Sequence, residues 1–326
     1  MSTPSPIFIG VDVGGTNIRA ASFTRNSHLP QKKVKHPTKA ADGAEAIIKR
    51  IENAIRDVAP PGLDGVVAIG IGTPGPLDPY QGIVFSAPNL KGWENLPLKK
   101  IMEKRLEKPV FIGNDANLAA LGEWKFGGGR GHDDVLYITI STGVGGGVIS
   151  QGRMLLGANG LAAEVGHVTV DPAGPMCGCG QRGHLEAIAS GTAISRAARA
   201  RLEAGEAPDS KIRDLVQGDL TKVSTTIIGE AAQADDPFAH QLLTEAGKVV
   251  GQALASFLHL YNPSVIVVGG GVAFVGELLF TPMREAMRQH AMNEVYWRYC
   301  PIVPAELGDD CGLIGAAALA MEEAKT

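Results

Sequence analysis

Two stretches of this chain share one design, a β-branched run, a glycine-rich break and a second apolar run. IFIGVDVGGTNIRAASF begins at residue 7, and VLYITISTGVGGGVIS begins at residue 135. Each reads as a pair of strands joined by a tight turn, because β-branched residues suit the pleat and glycine suits the turn. The recurrence after roughly 130 residues predicts two similar α/β domains rather than one long sheet.

At 326 residues, with 44% hydrophobic and 20% charged, the chain is long enough to build both. The expected division is residues 1–120, completed by a small-residue C-terminal helix over 312–326, and residues 121–311. Ala44, Ile47, Ile48, Ile51, Ile55 and Val58 follow helical spacing, with Asp42 and Glu45 resembling a capping box before them. Residues 241–261 predict a long helix stopped by Asn262 and Pro263. Asn114 and Asp115 fall where a strand over 109–112 hands over to a helix, a common place for ligand chemistry.

The glycines do not form the familiar nucleotide motifs. The single Gly-Lys pair, Gly247–Lys248, is followed by valine inside a helical pattern, so there is no Walker loop. GIGTPG at 70–75 matches the dinucleotide pattern formally, but Pro74, Pro76 and Pro79 disfavour its strand-to-helix turn. The two hairpin turns are the better candidates. Asp12, Gly14, Gly15 and Thr16 would face Ser141, Thr142, Gly143, Gly145, Gly146 and Gly147, with main-chain N–H groups donating to phosphate. Ionised Asp12 cannot donate to phosphate, but it can hold hydrated Mg2+ beside it. Gly269, Gly270 and Gly271 end a hydrophobic strand and suit the underside of an adenine or ribose. The alternative is that both turns are purely structural.

PMCGCGQRGHLE holds Cys177, Cys179 and His184, and His167 lies ten residues before the first thiol. One intervening residue makes a strained disulfide, which counts against a redox pair. Four soft or borderline ligands within eighteen residues suit tetrahedral Zn2+ in a closed, structural site. Buried cysteines beside unrelated histidines remain the other reading, and it is the preferred one for Cys300 and Cys311.

Charge and hydropathy narrow the partners. With 30 basic against 34 acidic residues the formal charge is -4, with no basic tract dense enough for nucleic acid. The apolar run at 265–275 is too short to span a bilayer, and the N-terminus carries no basic leader, so the expected location is the cytoplasm.

The motifs VDVGGTNIRA, GIGTPGPLD, APNLKGW, NDANLAALGE, STGVGGG, AEVGH, CGCGQRGHLE and VVGGG together resemble the bacterial ROK sugar kinases, within the actin and hexokinase-like superfamily. Within that family the sequence looks most like the glucokinases. The resemblance covers essentially the whole chain. It implies a two-domain actin/hexokinase-like (ribonuclease H-like) α/β fold with an interdomain cleft, ATP held largely by the second domain and a hexose near the hinge. It also implies Asp115 as catalytic base, with Asn89, Asn114, Glu164, His167 and Glu186 holding sugar hydroxyls, and a homodimer, with a tetramer as the alternative. The expected reaction is Mg2+-assisted transfer of a phosphoryl group from ATP to the 6-hydroxyl of glucose. Mannose, fructose or N-acetylglucosamine are alternative acceptors, and a zinc-containing sugar-binding protein without catalysis is the alternative of another class. Family members commonly carry cysteine where this chain has His184, so its longer reach is expected to alter the loop. DNA-binding relatives carry a winged-helix segment ahead of the first hairpin. Here that hairpin begins about seven residues in, which favours an enzyme. As the first acid of its helix, Asp115 is expected to be held ionised by the helix terminus.

Overall fold

The first hairpin forms as the sequence predicts. In the computed structural model, which describes residues 5–87 and 89–324, β1 (Ile7–Val13) pairs antiparallel with β2 (Asn17–Thr24). β2 pairs with β3 (Lys32–Pro37), while β4 (Val66–Thr73) lies parallel to β1 and β5 (Val110–Asn114) parallel to β4. The sheet order is β3-β2-β1-β4-β5. Both faces of the inner strands are covered, which explains why β1, β4 and β5 are apolar almost throughout, whereas the edge strand β3 (KKVKHP) is largely exposed. Ile9, Val11 and Ile18 meet Ile47, Ile51 and Ile55 of helix α1 (Ala44–Val58) on one side.

The capping box expected for α1 is not made. Gly43 is the N-cap, without a side-chain bond. Asp42 pairs instead with Arg50, and Glu45 with Arg105 at 2.7 Å. Guanidinium partners supplied by the fold outcompete the local backbone for both carboxylates.

The second sheet repeats the first. β6 (Val135–Ile140) and β7 (Val144–Ser150) form its hairpin, flanked by β8 (Arg153–Met154), β9 (Val265–Gly269) and β10 (Ile302–Pro304) in the order β8-β7-β6-β9-β10. Between β8 and β9 come several helices, among them α3 (Leu185–Ala189), α4 (Gly191–Glu203) and the long α5 (Pro237–Tyr261). Helix α5 starts four residues earlier than its hydrophobic pattern, because Asp236 accepts from the Ala239 N–H at 2.8 Å and Pro237 fits the first turn. It ends at Asn262, whose φ of 44° is the left-handed stop the sequence suggested.

Two helices join these halves. α2 (Asp115–Phe126) lays Ala119 and Ala120 on the Tyr137 and Val267 face of the second sheet, and Leu118 and Leu121 on α6 (Cys311–Glu323). In turn, α6 covers the Phe8, Phe23 and Ala68 face of the first sheet. Its small residues allow backbone to meet backbone: a Cβ on Gly70 would collide with the Ala316 carbonyl, and one on Gly315 with that of Leu118. Buried Glu123 fastens the junction by accepting from the N–H groups of Gly128, Glu306 and Leu307 at 2.9 to 3.1 Å. Among the described residues, no helix is long and apolar enough to cross a membrane.

Candidate active site

β5 delivers Asn114 and Asp115 into a cleft of about 800 Å³ whose walls come from both sheets. The two neighbours divide their tasks. Asn114 caps α2, its Oδ1 accepting from Ala116 and Asn117 N–H at 2.9 and 3.2 Å. That leaves the Asn114 amide nitrogen and the Asp115 carboxylate for the cleft. Helix capping therefore does not account for Asp115.

Burial, followed by the negative charge of Asp12 and then that of Glu164, raises the Asp115 carboxyl from 3.8 to about 6. The helix terminus was expected to favour ionisation. The N–H of Ala116, 2.8 Å from Oδ1, and the N–H of Asp115 itself act in that direction at the start of α2, and they are outweighed. A carboxylate that gains a proton near pH 6 is a competent general base at neutral pH.

The other expected sugar ligands line the same cleft: Asn89, Glu164, His167 and Glu186. Glu164 and His167 flank one 3-10 turn, closed by the His167 N–H donating to the Glu164 carbonyl at 3.0 Å. Glu186 sits in the first turn of α3 and receives the Val144 N–H at 3.0 Å, so it braces the second glycine turn from behind.

The nucleotide-side residues divide into groups. Asp12, Thr142 and Gly143 line the main cleft. Gly269, Gly270 and Gly271 line an adjoining cavity of about 200 Å³, which shares Tyr137, Thr139, Ser141 and Cys311 with the cleft. Gly14, Gly15 and Thr16 form the first turn, closed by the Gly14 N–H donating to Asn17 at 2.9 Å, but they are not part of the cleft wall. Gly147 also leaves the expected group. It lies within β7, and a Cβ there would stand 2.5 Å from that of Ala120, so helix packing requires this glycine.

Arg19 was not singled out from the sequence, yet it lines the cleft and pairs with Asp12 across β1 and β2, its Nε donating to Oδ2 at 3.1 Å. The signal was present. Positions 12 and 19 are symmetric about a turn centred between residues 15 and 16, so antiparallel pairing sets them opposite each other.

His167, Cys177, Cys179 and His184 converge, with their ligand atoms all within 4.8 Å of one another. The Nδ1 atoms of the two histidines are 3.3 Å apart. Cys179 Sγ lies 3.3 Å from His184 Nδ1, and Cys177 Sγ lies 3.8 Å from His167 Nδ1. Tetrahedral zinc with ordinary bond lengths requires edges of about 3.3 Å between nitrogens and about 3.6 Å between sulfur and nitrogen, so the donor set fits. His184 reaches the cluster despite its length because it directly precedes α3 and is fixed by a bridge to Thr169. His167 turns Nδ1 to the cluster while its ring lines the cleft. Cys177 Sγ is also 3.7 Å from Glu186, linking the cluster to the brace behind the second turn.

Comparison with known proteins finds relatives over nearly the whole chain. The model of the ROK family matches residues 8–323. The chain is 39% identical to the glucokinase of Thermotoga maritima over 98% of both proteins. It superposes with a TM-score of 0.83 on a ROK glucokinase from Streptomyces griseus solved with glucose and AMPPNP, at 39% identity, covering 97% of this chain and 99% of that one. A ROK family transcriptional regulator, described as a homologue of the Escherichia coli MLC protein, superposes at 0.86 with 28% identity, covering 98% of this chain and 78% of the regulator.

Proposed function

The chain belongs to the ROK family, and from that premise we propose that it transfers the terminal phosphoryl group of ATP to the 6-hydroxyl of glucose. It is an ATP-dependent hexose kinase with the two-domain actin/hexokinase-like fold. In this reading residues 1–120 with 312–326 form one domain and 121–311 the other, and the substrates meet between them.

Asp115 takes the proton of the attacking hydroxyl as the oxygen bonds to phosphorus and ADP leaves. Asn89, Asn114, Glu164, His167 and Glu186 hold the remaining hydroxyls, so the sugar is oriented before it reacts. Thr142 and Gly143 present main-chain N–H groups to the donor phosphates, with the nucleoside toward Gly269, Gly270 and Gly271. Burial does most to raise the Asp115 carboxyl, but the charges of Asp12 and Glu164 add to it, a local surplus of negative charge suited to a divalent cation. Asp12 would hold Mg2+, which when bound would neutralise charge on the donor phosphates. The Cys/His cluster would hold structural Zn2+ and keep His167 and Glu186 in register, without entering the chemistry.

The observation that carries this reading is Asp115. It is released from helix capping by Asn114, its carboxyl is raised to about 6, and it shares one cleft with Asn89, Glu164, His167, Glu186 and the second glycine turn. A coupled assay of ADP formation from MgATP with glucose, mannose, fructose and N-acetylglucosamine tests it, with glucose expected to be the preferred acceptor. The likeness to a transcriptional regulator supports a second reading, sugar binding without catalysis. Glucose binding with no ADP formed from any of the four sugars would establish that reading instead.

A further inference from the structure

The first glycine turn is held from behind by one residue outside it. Thr38 follows β3 directly and is fully buried. Its N–H donates to the Thr16 carbonyl at 2.8 Å, which carries the β2–β3 ladder one residue past the Asn17–Pro37 pair. Its hydroxyl donates to the Gly14 carbonyl at 2.6 Å, so a single residue grips both sides of the turn. Thr38 is itself anchored, because Arg50 of α1 donates to its carbonyl at 2.9 Å. In a planar trans peptide the N–H points opposite to the C=O, so drawing the Gly14 carbonyl inward turns the Gly15 N–H outward. Gly15 is exposed, and among the described residues its N–H has no acceptor. The turn borders the cleft: a Cβ on Gly15 would stand 3.5 Å from that of Asn89, and both Asn89 and Asp12 line the cleft wall.

We propose that Thr38 is a positioning residue for the phosphoryl donor, fixing the first turn so that the Gly15 N–H faces the donor phosphates, an assignment that rests on the kinase reading above. Two adjacent glycines have no side chain of their own to hold the peptide plane between them, and glycine carries the largest backbone entropy. Thr38 removes that freedom before the donor arrives. It acts through preorganisation and makes no contact with the nucleotide itself.

Thr38→Val keeps the shape and the backbone bond but removes the hydroxyl, whereas Thr38→Ser keeps the hydroxyl. Titration calorimetry of the full-length native protein and both variants with AMPPNP, adenosine and glucose in Mg2+, together with steady-state kinetics, tests the assignment. In Thr38→Val the AMPPNP affinity should fall, and the KM for MgATP rise, by about threefold to tenfold, with adenosine and glucose binding within about twofold of native. Thr38→Ser should restore both. Native AMPPNP affinity in Thr38→Val, or equal impairment of Thr38→Ser, overturns the assignment. So does a parallel loss of AMPPNP, adenosine and glucose binding, which marks a purely structural tie. A measurement on the native protein alone covers a variant that does not fold: the Gly15 amide signal of 15N-labelled protein should shift with AMPPNP and stay in place with adenosine, and an amide unmoved by bound AMPPNP overturns the assignment. A native protein that binds AMPPNP yet forms no ADP with any hexose defeats the kinase reading, while the binding comparison still judges Thr38.

Discussion

The two glycine turns look interchangeable as sequence but answer different demands. In the second, packing accounts for most of the glycines. A Cβ on Gly143 would collide with Glu186, one on Gly146 would lie 2.6 Å from the Tyr137 carbonyl oxygen, and one on Gly147 would strike Ala120. In the first, a Cβ on Gly14 would come no closer than 3.3 Å to the Asn17 oxygen, and one on Gly15 would stand 3.5 Å from Asn89. Nor does either glycine of that turn have positive φ. Packing does not demand a glycine at position 15, and although the turn is not part of the cleft wall, close approach of a donor phosphate is the demand proposed for it, whereas the second turn is first an element of the core. A glycine-rich motif thus records closeness without revealing whether protein or substrate is the neighbour.

The largest effect should come from the packed turn. Gly147→Val is expected to destabilise the fold by about 3 kcal/mol or more, read as a large drop in melting temperature. A normal melt would show that α2 can move aside and would erase the distinction between the turns. Asp115→Asn, which touches neither turn's backbone, should lower kcat by roughly 10²-fold or more and spare sugar affinity. Because the native carboxyl titrates near 6 against about 3.9 unfolded, the penalty for its charge grows as pH rises between those values and is complete above them. The same substitution should therefore stabilise the protein at neutral pH, by about 1–3 kcal/mol, and a less stable variant would contradict the raised carboxyl.

The second turn has a further dependence that the first lacks, through Glu186 to Cys177. Cys177→Ala should lose bound zinc and weaken glucose binding together, by about tenfold or more. Unchanged affinity in protein verified as zinc-free would separate the cluster from the site. The smallest effect should be Gly15→Ala, with stability within about 0.5 kcal/mol of native but the KM for MgATP raised several-fold. An unchanged KM would make the first turn as structural as the second.

Local pattern made much of this legible. Period and length gave both hairpins, the long helix and the C-terminal helix, and four donors within eighteen residues gave the Cys/His cluster. Contacts between distant segments were not legible. Arg50 and Arg105 take Asp42 and Glu45 away from α1. Ala120 claims Gly147, and burial in the assembled cleft, with the charge of Asp12 from over a hundred residues away, raises the Asp115 carboxyl. Arg19 lies between these cases, since hairpin symmetry places it opposite Asp12, but its reach to the Asp309 carbonyl needs the whole fold.

The most direct test of Asp115 as the base between sugar and donor is the pH dependence of glucose phosphorylation, measured as kcat/KM from pH 5 to 8. Protonation of the buried carboxyl should make the rate fall about tenfold per unit below a pH near 6. A rate that stays flat to pH 5, with the protein folded and saturable by glucose throughout, would remove Asp115 from proton transfer.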